Sequence, residues 1–195
     1  LGCILTPTEG TLTVAGHDTS DYSVEELALL RRKHIGFIFQ SYNLFPTLTA
    51  EENVRVALDV RGDRGSDATV RAQRALHQVG LAHKLRSYPA NLSGGEQQRV
   101  AVARALAGSP SVILADEPTA ALDSENGQSV MTLLAEIAKD KSRAVLAVTH
   151  DPRTIPYAQR ILKIEDGLIV SDEGPPKGVD TIHTLAQDRK RKANV

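Results

Sequence analysis

Long apolar runs are missing from this 195-residue chain. No stretch reaches the roughly 20 apolar residues that cross a bilayer as a helix, so any membrane role must run through a partner. Cysteine is almost missing too. Cys3 stands alone, which excludes an intramolecular disulfide and fits a reducing compartment. In a short apolar stretch its thiol reads as packing rather than as a nucleophile. Excess charge of either sign is absent: 23 Lys and Arg stand against 24 Asp and Glu, a net charge of −1. No global basic field therefore points to nucleic acid. No secretory leader opens the sequence, because Leu1-Gly2-Cys3-Ile4-Leu5 is short and has no basic lead. The first residue is not Met, and the chain is expected to be a fragment. It holds no internal repeats. What remains is ordinary for one globular domain with room for a subdomain, at 41% hydrophobic and 24% charged.

The order of elements is legible from local signals. Thr11–Ala15 alternates like a half-buried strand, with Gly16-His17-Asp18 as its turn. Ser23 and Glu26 have capping-box spacing, which predicts a helix through Arg32. Ile35–Phe39 is a buried strand ending at Gln40. A second capping box, Thr49 with Glu52, predicts a helix to about Val60. A polar loop over Arg61–Asp67 leads to a helix over Thr69–Val79. That helix carries Ala72, Ala75, Leu76 and Val79 on one face and Gly80 as its stop. This helical middle is expected to form its own lobe.

The second half alternates helix and strand. Gly94–Ala107 reads as helix, Val112–Ala115 as strand, Glu125–Ala138 as helix and Ala144–Val148 as strand. The helix over Glu125–Ala138 should turn Val130, Leu133, Leu134 and Ile137 inward. Both strands are unbroken apolar runs, as in a parallel sheet covered on both faces. Glu165-Asp166-Gly167 joins two short strands as a hairpin. Past Ser171 the chain is polar and ends in Arg189-Lys190-Arg191-Lys192, read as a solvated tail.

Three predicted strand ends carry polar side chains: Gln40, Asp116-Glu117 and His150. Open parallel sheets place functional groups beyond the carboxyl ends of their strands. A carboxylate there can hold Mg²⁺ largely through water, which suits Asp116. Its neighbour Glu117 can polarise a water in line with a γ-phosphate. A neutral His150 can hydrogen-bond that phosphate and orient the water. The amide of Gln40 can touch metal and water without adding charge. Ser93 and Glu96 form a third capping box around Gly94-Gly95. The glycines let backbone N–H groups approach an anion at a helix N-terminus. Singly, each feature has a plainer reading: a flexible turn, a helix start, a capping turn, a solvated loop residue. Their joint order and spacing favour a nucleoside-triphosphate site. One part of such a site is absent: G-x-x-x-x-G-K-[ST] occurs nowhere. Lys141-Ser142, the one Lys followed by Ser or Thr, is preceded by Asp140.

Leu92-Ser93-Gly94-Gly95-Glu96-Gln97-Gln98-Arg99, the run from Ala115 to Asp123, and Thr149-His150-Asp151 together resemble the ATP-binding subunits of ABC transporters. The likeness covers Leu1 to about Asp172. It implies an α/β fold: a P-loop NTPase-like core on a mostly parallel sheet, a helical lobe at about 47–92, a small N-terminal antiparallel β piece and a polar tail over 173–195. It makes Gln40 the Q-loop glutamine and Leu92–Glu96 the signature motif. Val112–Asp116 becomes Walker B, with Asp116 and Gln40 on Mg²⁺, and Glu117 the general base. Ala121-Leu122-Asp123 becomes the D-loop and His150 the switch histidine. Stretches at Ile35–Phe45 and Thr47–Val54 resemble the exporter branch of lipoprotein-releasing, macrolide-export and heterocyst glycolipid-export systems. Glu125-Asn126-Gly127 and Asp151–Ile155 look most like the glycolipid exporters.

The resemblance implies ATP hydrolysis that powers export. It also implies a homodimer with two ATP molecules sandwiched head to tail, a membrane permease, a periplasmic adaptor and the cytoplasmic face of the inner membrane. Nucleic acid is not expected as a partner. The family's phosphate loop and adenine-stacking aromatic would precede Leu1, with Leu1–Leu5 as the end of the next helix. The 195 residues by themselves are therefore expected to bind ATP poorly and to be short of a central strand. Two other classes compete: a non-transport ABC protein of DNA repair or translation, and a non-catalytic regulatory module. The first is disfavoured because no large insertion or second cassette is seen.

Overall fold

A computed structural model describes residues 2–175. The polar tail with Arg189–Lys192 lies outside the described residues. A hairpin comes first, β1 (Thr13–Val14) against β2 (His17–Asp18). Its turn is Ala15-Gly16, both with positive φ at 51° and 82°, the two-residue geometry that matches strand twist. The turn expected over Gly16-His17-Asp18 is thus displaced, and His17-Asp18 is the return strand. Gly2–Leu5 is not a helical end either. So short a run cannot hold helical dihedrals without a longer helix behind it, and Pro7 keeps Thr6 out of the helical region.

All three capping boxes exist. Ser23 caps α1 (Val24–His34), Thr49 caps α2 (Ala50–Arg61) and Ser93 caps α4 (Gly94–Leu106), each with its reciprocal Glu. The backbone N–H of each cap residue donates to that Glu, which holds Glu26, Glu52 and Glu96 below the usual carboxylate range. Between α2 and α4 lies α3 (Ser66–Gln78), which begins three residues earlier than its apolar face announces. Ala72, Ala75, Leu76 and Val79 are buried as expected.

The central sheet has the order β3 (Ile35–Ile38), β4 (Val112–Asp116), β5 (Ala144–Val148), all parallel. α4 and α5 (Ser124–Ile137) make the crossovers. α4 lies so close to β3 that a Cβ on Gly36 would stand 2.5 Å from the Ala105 carbonyl oxygen. One buried cluster runs from Leu58 and Leu76 through Val100 to Ile113 and Val130. A smaller cluster gathers Cys3, Val14, Leu27, Leu30 and Ile35, so Cys3 does pack. Full burial of each Val, Leu or Ile side chain is worth about 2 kcal/mol. Within α5, Val130 and Leu134 are buried, while Leu133 and Ile137 are half-buried against the cluster. A second hairpin, β6 (Ile161–Glu165) with β7 (Leu168–Glu173), turns at Asp166-Gly167 as the sequence indicates. Among the described residues no helix is long and apolar enough to cross a membrane.

Candidate functional site

Because the three central strands are parallel and adjacent, their carboxyl ends share one edge. Ile38 pairs with Ala115, Ala115 with Ala147, and Asp116 with Val148. Gln40, Asp116-Glu117 and His150 therefore emerge side by side. The residue types that could do chemistry were legible from sequence; their contacts were not.

Glu117 is the centre of the contacts. Its backbone is left-handed, φ 45°, and its N–H donates to the Val148 carbonyl at 2.9 Å. A left-handed non-glycine costs of order 1 kcal/mol and persists only where the surroundings hold it. Here it turns the carboxylate back across β5. Oε1 accepts the His150 backbone N–H at 3.1 Å and stands 2.6 Å from His150 Nδ1, and Oε2 accepts the Thr149 hydroxyl at 3.1 Å. The Glu117 side chain is 17% exposed and the His150 ring 85%. With Nδ1 donating to the carboxylate, Nε2 is the ring atom left facing solvent. Asp151 N–H in turn donates to Thr149 Oγ1 at 3.0 Å. Thr149 is a neighbour of Glu117 that sequence reasoning missed, although it stands in the same short string as His150.

Asp116, the last residue of β4, is exposed, and Gln40 is exposed in the turn past β3. One carboxylate and one amide oxygen are hard donors, the kind Mg²⁺ takes while keeping most of its waters. Among the described residues no group of three His, Cys, Asp or Glu side chains could enclose an ion.

The signature-like block has a second use for its residues. Ser93 Oγ accepts from Glu96 N–H at 3.2 Å, and Glu96 Oε2 accepts from Ser93 N–H at 2.8 Å. Lys84 lies 3.3 Å from Glu96 Oε1. Glu96 is thus committed to capping, and Ser93 stays exposed at the helix start. Gly94 lies under Tyr42, where a Cβ would be 3.1 Å from the phenol oxygen. Gly95 is buried, and a Cβ there would be 2.2 Å from Asn126 Oδ1. Close packing on α5 therefore requires Gly95, independently of any anion. Asn126 is itself held: its Nδ2 donates to Asp123 Oδ2 at 2.7 Å and its N–H to Asp123 Oδ1 at 2.9 Å. Those donors keep the Asp123 carboxyl below its usual range. Asp123 is the N-cap of α5, so it is tied to Gly95 through one side chain.

Two further links went unseen in the sequence. Gln98 is fully buried and donates to the Pro118 carbonyl at 2.8 Å, joining α4 to the loop after Glu117. Arg153 chelates Asp151 through Nε and Nη2 and donates to Ser124 Oγ at 2.7 Å. The segment after His150 is thereby fastened to the first residue of α5. Glutamine inside an apolar face and an Arg two residues after an Asp are the weak local signals for them.

A helix-covered parallel sheet with paired acids at one strand tip, a histidine at the next and a capped Ser-Gly-Gly helix start defines an ATP-binding cassette. The family model described as ABC transporter matches residues 2–120, and the chain belongs to that family. It is 47% identical, over its whole length, to the macrolide export ATP-binding/permease protein MacB of a Shewanella strain, and covers 30% of that protein. To the MacB of Escherichia coli K12 it is 48% identical over 90% of the chain and 27% of the relative. The chain thus spans about a third or less of the curated relatives it matches. Among solved structures it superposes, with a TM-score of 0.78 and 40% identity, on the ATP-binding cassette MJ0796 in a dimeric post-hydrolysis state bound to ADP and Pi. That match covers 90% of this chain and 77% of the cassette.

Proposed function

We propose that this chain is the nucleotide-handling part of an exporter: it binds Mg-ATP between two copies and hydrolyses it to drive a membrane permease. The observation that carries the reading is the Glu117 carboxylate, clasped by Thr149 and His150 beside an exposed Asp116. Glu117 acts as general base on a water. His150, held on Glu117 through its backbone N–H and Nδ1, presents its Nε2 edge where the γ-phosphate would lie, and an Nε2–H would donate to it. Asp116 and Gln40 would hold Mg²⁺, which would supply positive charge to offset that of the phosphates. The helix start at Ser93, Gly94 and Gly95 would meet the γ-phosphate of the nucleotide held by the other copy through its hydroxyl and backbone N–H groups, with Glu96 fixing that helix start and Asp123 the neighbouring one. The domain is taken to run over 1–172 with its helical lobe at about 47–92; β7 carries it on to Glu173.

The relatives are named for macrolide export and carry a permease in the same polypeptide. By analogy this cassette works at the cytoplasmic face of the inner membrane with a permease and a periplasmic adaptor. Dimeric MJ0796 supports the homodimer. In the assembled transporter, Glu117→Gln keeps shape and removes the base. Hydrolysis should fall about 10²-fold or more while ATP stays bound. Undiminished hydrolysis would overturn the assignment.

A further inference from the structure

The turn that carries Gln40 has no regular structure to hold it, yet it is held. Tyr42 and Asn43 are both left-handed, φ 62° and 49°, and neither is glycine. Two consecutive residues in that region turn their carbonyls to one side of the chain. Both carbonyls meet the same guanidinium: Arg104 Nη2 donates to Tyr42 O at 2.7 Å and Nη1 donates to Asn43 O. Arg104 stands in the last turn of α4, the helix that begins at Ser93. Among the described residues it has no ion pair, and burial alone pushes its pKa down. A half-buried guanidinium without a carboxylate is a costly choice for simple packing. The segment is pinned at the start of α4 as well, because the Tyr42 hydroxyl stands 3.1 Å from where a Cβ on Gly94 would lie and 3.4 Å from the Ala121 carbonyl. Both ends of α4 thus grip the segment two and three residues beyond Gln40.

We propose that Arg104 is a positioning residue for Gln40: it latches the Tyr42-Asn43 carbonyls to α4, so that the Gln40 amide and the Ser93 helix start move as one body. A planar fork that reaches two adjacent carbonyls suits this job, and a lysine ammonium cannot span both in the same way. Any tilt of α4 would then carry Gln40 toward or away from Asp116. This rests on the reading of Gln40 as a metal contact.

Two measurements test it. In the assembled transporter, amide hydrogen exchange is compared between the native protein and Arg104→Met. The N–H groups of Tyr42 and Asn43, bonded to Phe39 O and Ser41 O, should exchange at least about tenfold faster, with those of α1 unchanged. In the assembled transporter, ATP hydrolysis is followed against Mg²⁺. Arg104→Met and Gln40→Ala should both raise the Mg²⁺ needed for half-maximal rate, by roughly tenfold, more than they lower the rate at saturating Mg²⁺. If Arg104→Met does not fold, Arg104→Lys is read in its place, with the same direction and a smaller effect. Unchanged exchange at residues 42 and 43 overturns the latch. Faster exchange with an unchanged Mg²⁺ dependence, while Gln40→Ala shifts it, overturns the coupling. If Gln40→Ala itself leaves the Mg²⁺ dependence alone, the metal reading of Gln40 fails, and exchange decides the latch by itself.

Discussion

Gly95 allows a sharp test of whether the glycines at the Ser93 helix start serve packing. A methyl group added there would lie 2.2 Å from Asn126 Oδ1, 2.6 Å from its Cγ and 3.0 Å from its Cβ. The amide cannot swing away freely, because Asp123 Oδ2 holds its Nδ2 at 2.7 Å. Forcing a methyl into such a contact costs about 1–3 kcal/mol. The gain in helix propensity from Gly to Ala returns up to about 1 kcal/mol, less in a first turn. Gly95→Ala should therefore destabilise by about 1–2 kcal/mol, a fall in melting temperature of roughly 2–8 °C for a chain of this size. Asn126→Ala alone loses an amide–carboxylate hydrogen bond, about 1 kcal/mol, and keeps the backbone cap. In the double variant the contacts with Oδ1 and Cγ are gone and only the 3.0 Å approach to the Cβ of residue 126 remains, so much of the Gly95→Ala loss should return, giving a coupling of about 1 kcal/mol. Urea unfolding of the four proteins measures it. A neutral Gly95→Ala, or additive losses in the cycle, would refute the packing argument.

Three further outcomes follow. Gly36→Ala should be worse than Gly95→Ala, at about 3 kcal/mol or more. Its Cβ meets the Ala105 backbone oxygen at 2.5 Å, and backbone cannot rotate aside; equal losses in urea would contradict this. Glu96 is held below its usual range first by the Ser93 N–H, with Lys84 adding to it. A depressed folded pKa gives stability that is present above the unfolded value and lost as pH falls through the folded one. Glu96→Gln should therefore lower stability at neutral and alkaline pH and converge on the native protein as pH falls through the folded carboxyl's range, as read by thermal melts from pH 3 to 9. Titration calorimetry of the 195 residues with Mg-ATP should show no micromolar binding, because no phosphate-cradling loop lies among them. Micromolar heats would show that the Asp116 edge and Ser93 suffice.

Sequence by itself settled what is local. Ser23, Thr49 and Ser93 each stand three residues before a Glu, and a box of that spacing closes on its own helix with no help from elsewhere. Burial on both faces does not hold for Ala144–Val148, whose ends are exposed and whose middle is half-buried, but the apolar runs there and at Val112–Ala115 read as parallel strands whose polar ends share one edge. That made Gln40, Asp116, Glu117 and His150 readable as a set. Local spacing could not show that Ala15-Gly16 forms the first turn, because two-residue hairpin geometry depends on which strands pair. Contacts across the chain stayed invisible: Thr149 and His150 on Glu117, Gln98 on Pro118, Asn126 against Gly95, Arg104 on Tyr42 and Asn43. Each joins residues about 20 to 60 apart in the chain, and no periodicity encodes such a pair. The chain order chose which groups stand at the edge; only packing of α4 and α5 on the sheet decided which of them touch, since touching depends on the distance between elements and not on any one element's own preference.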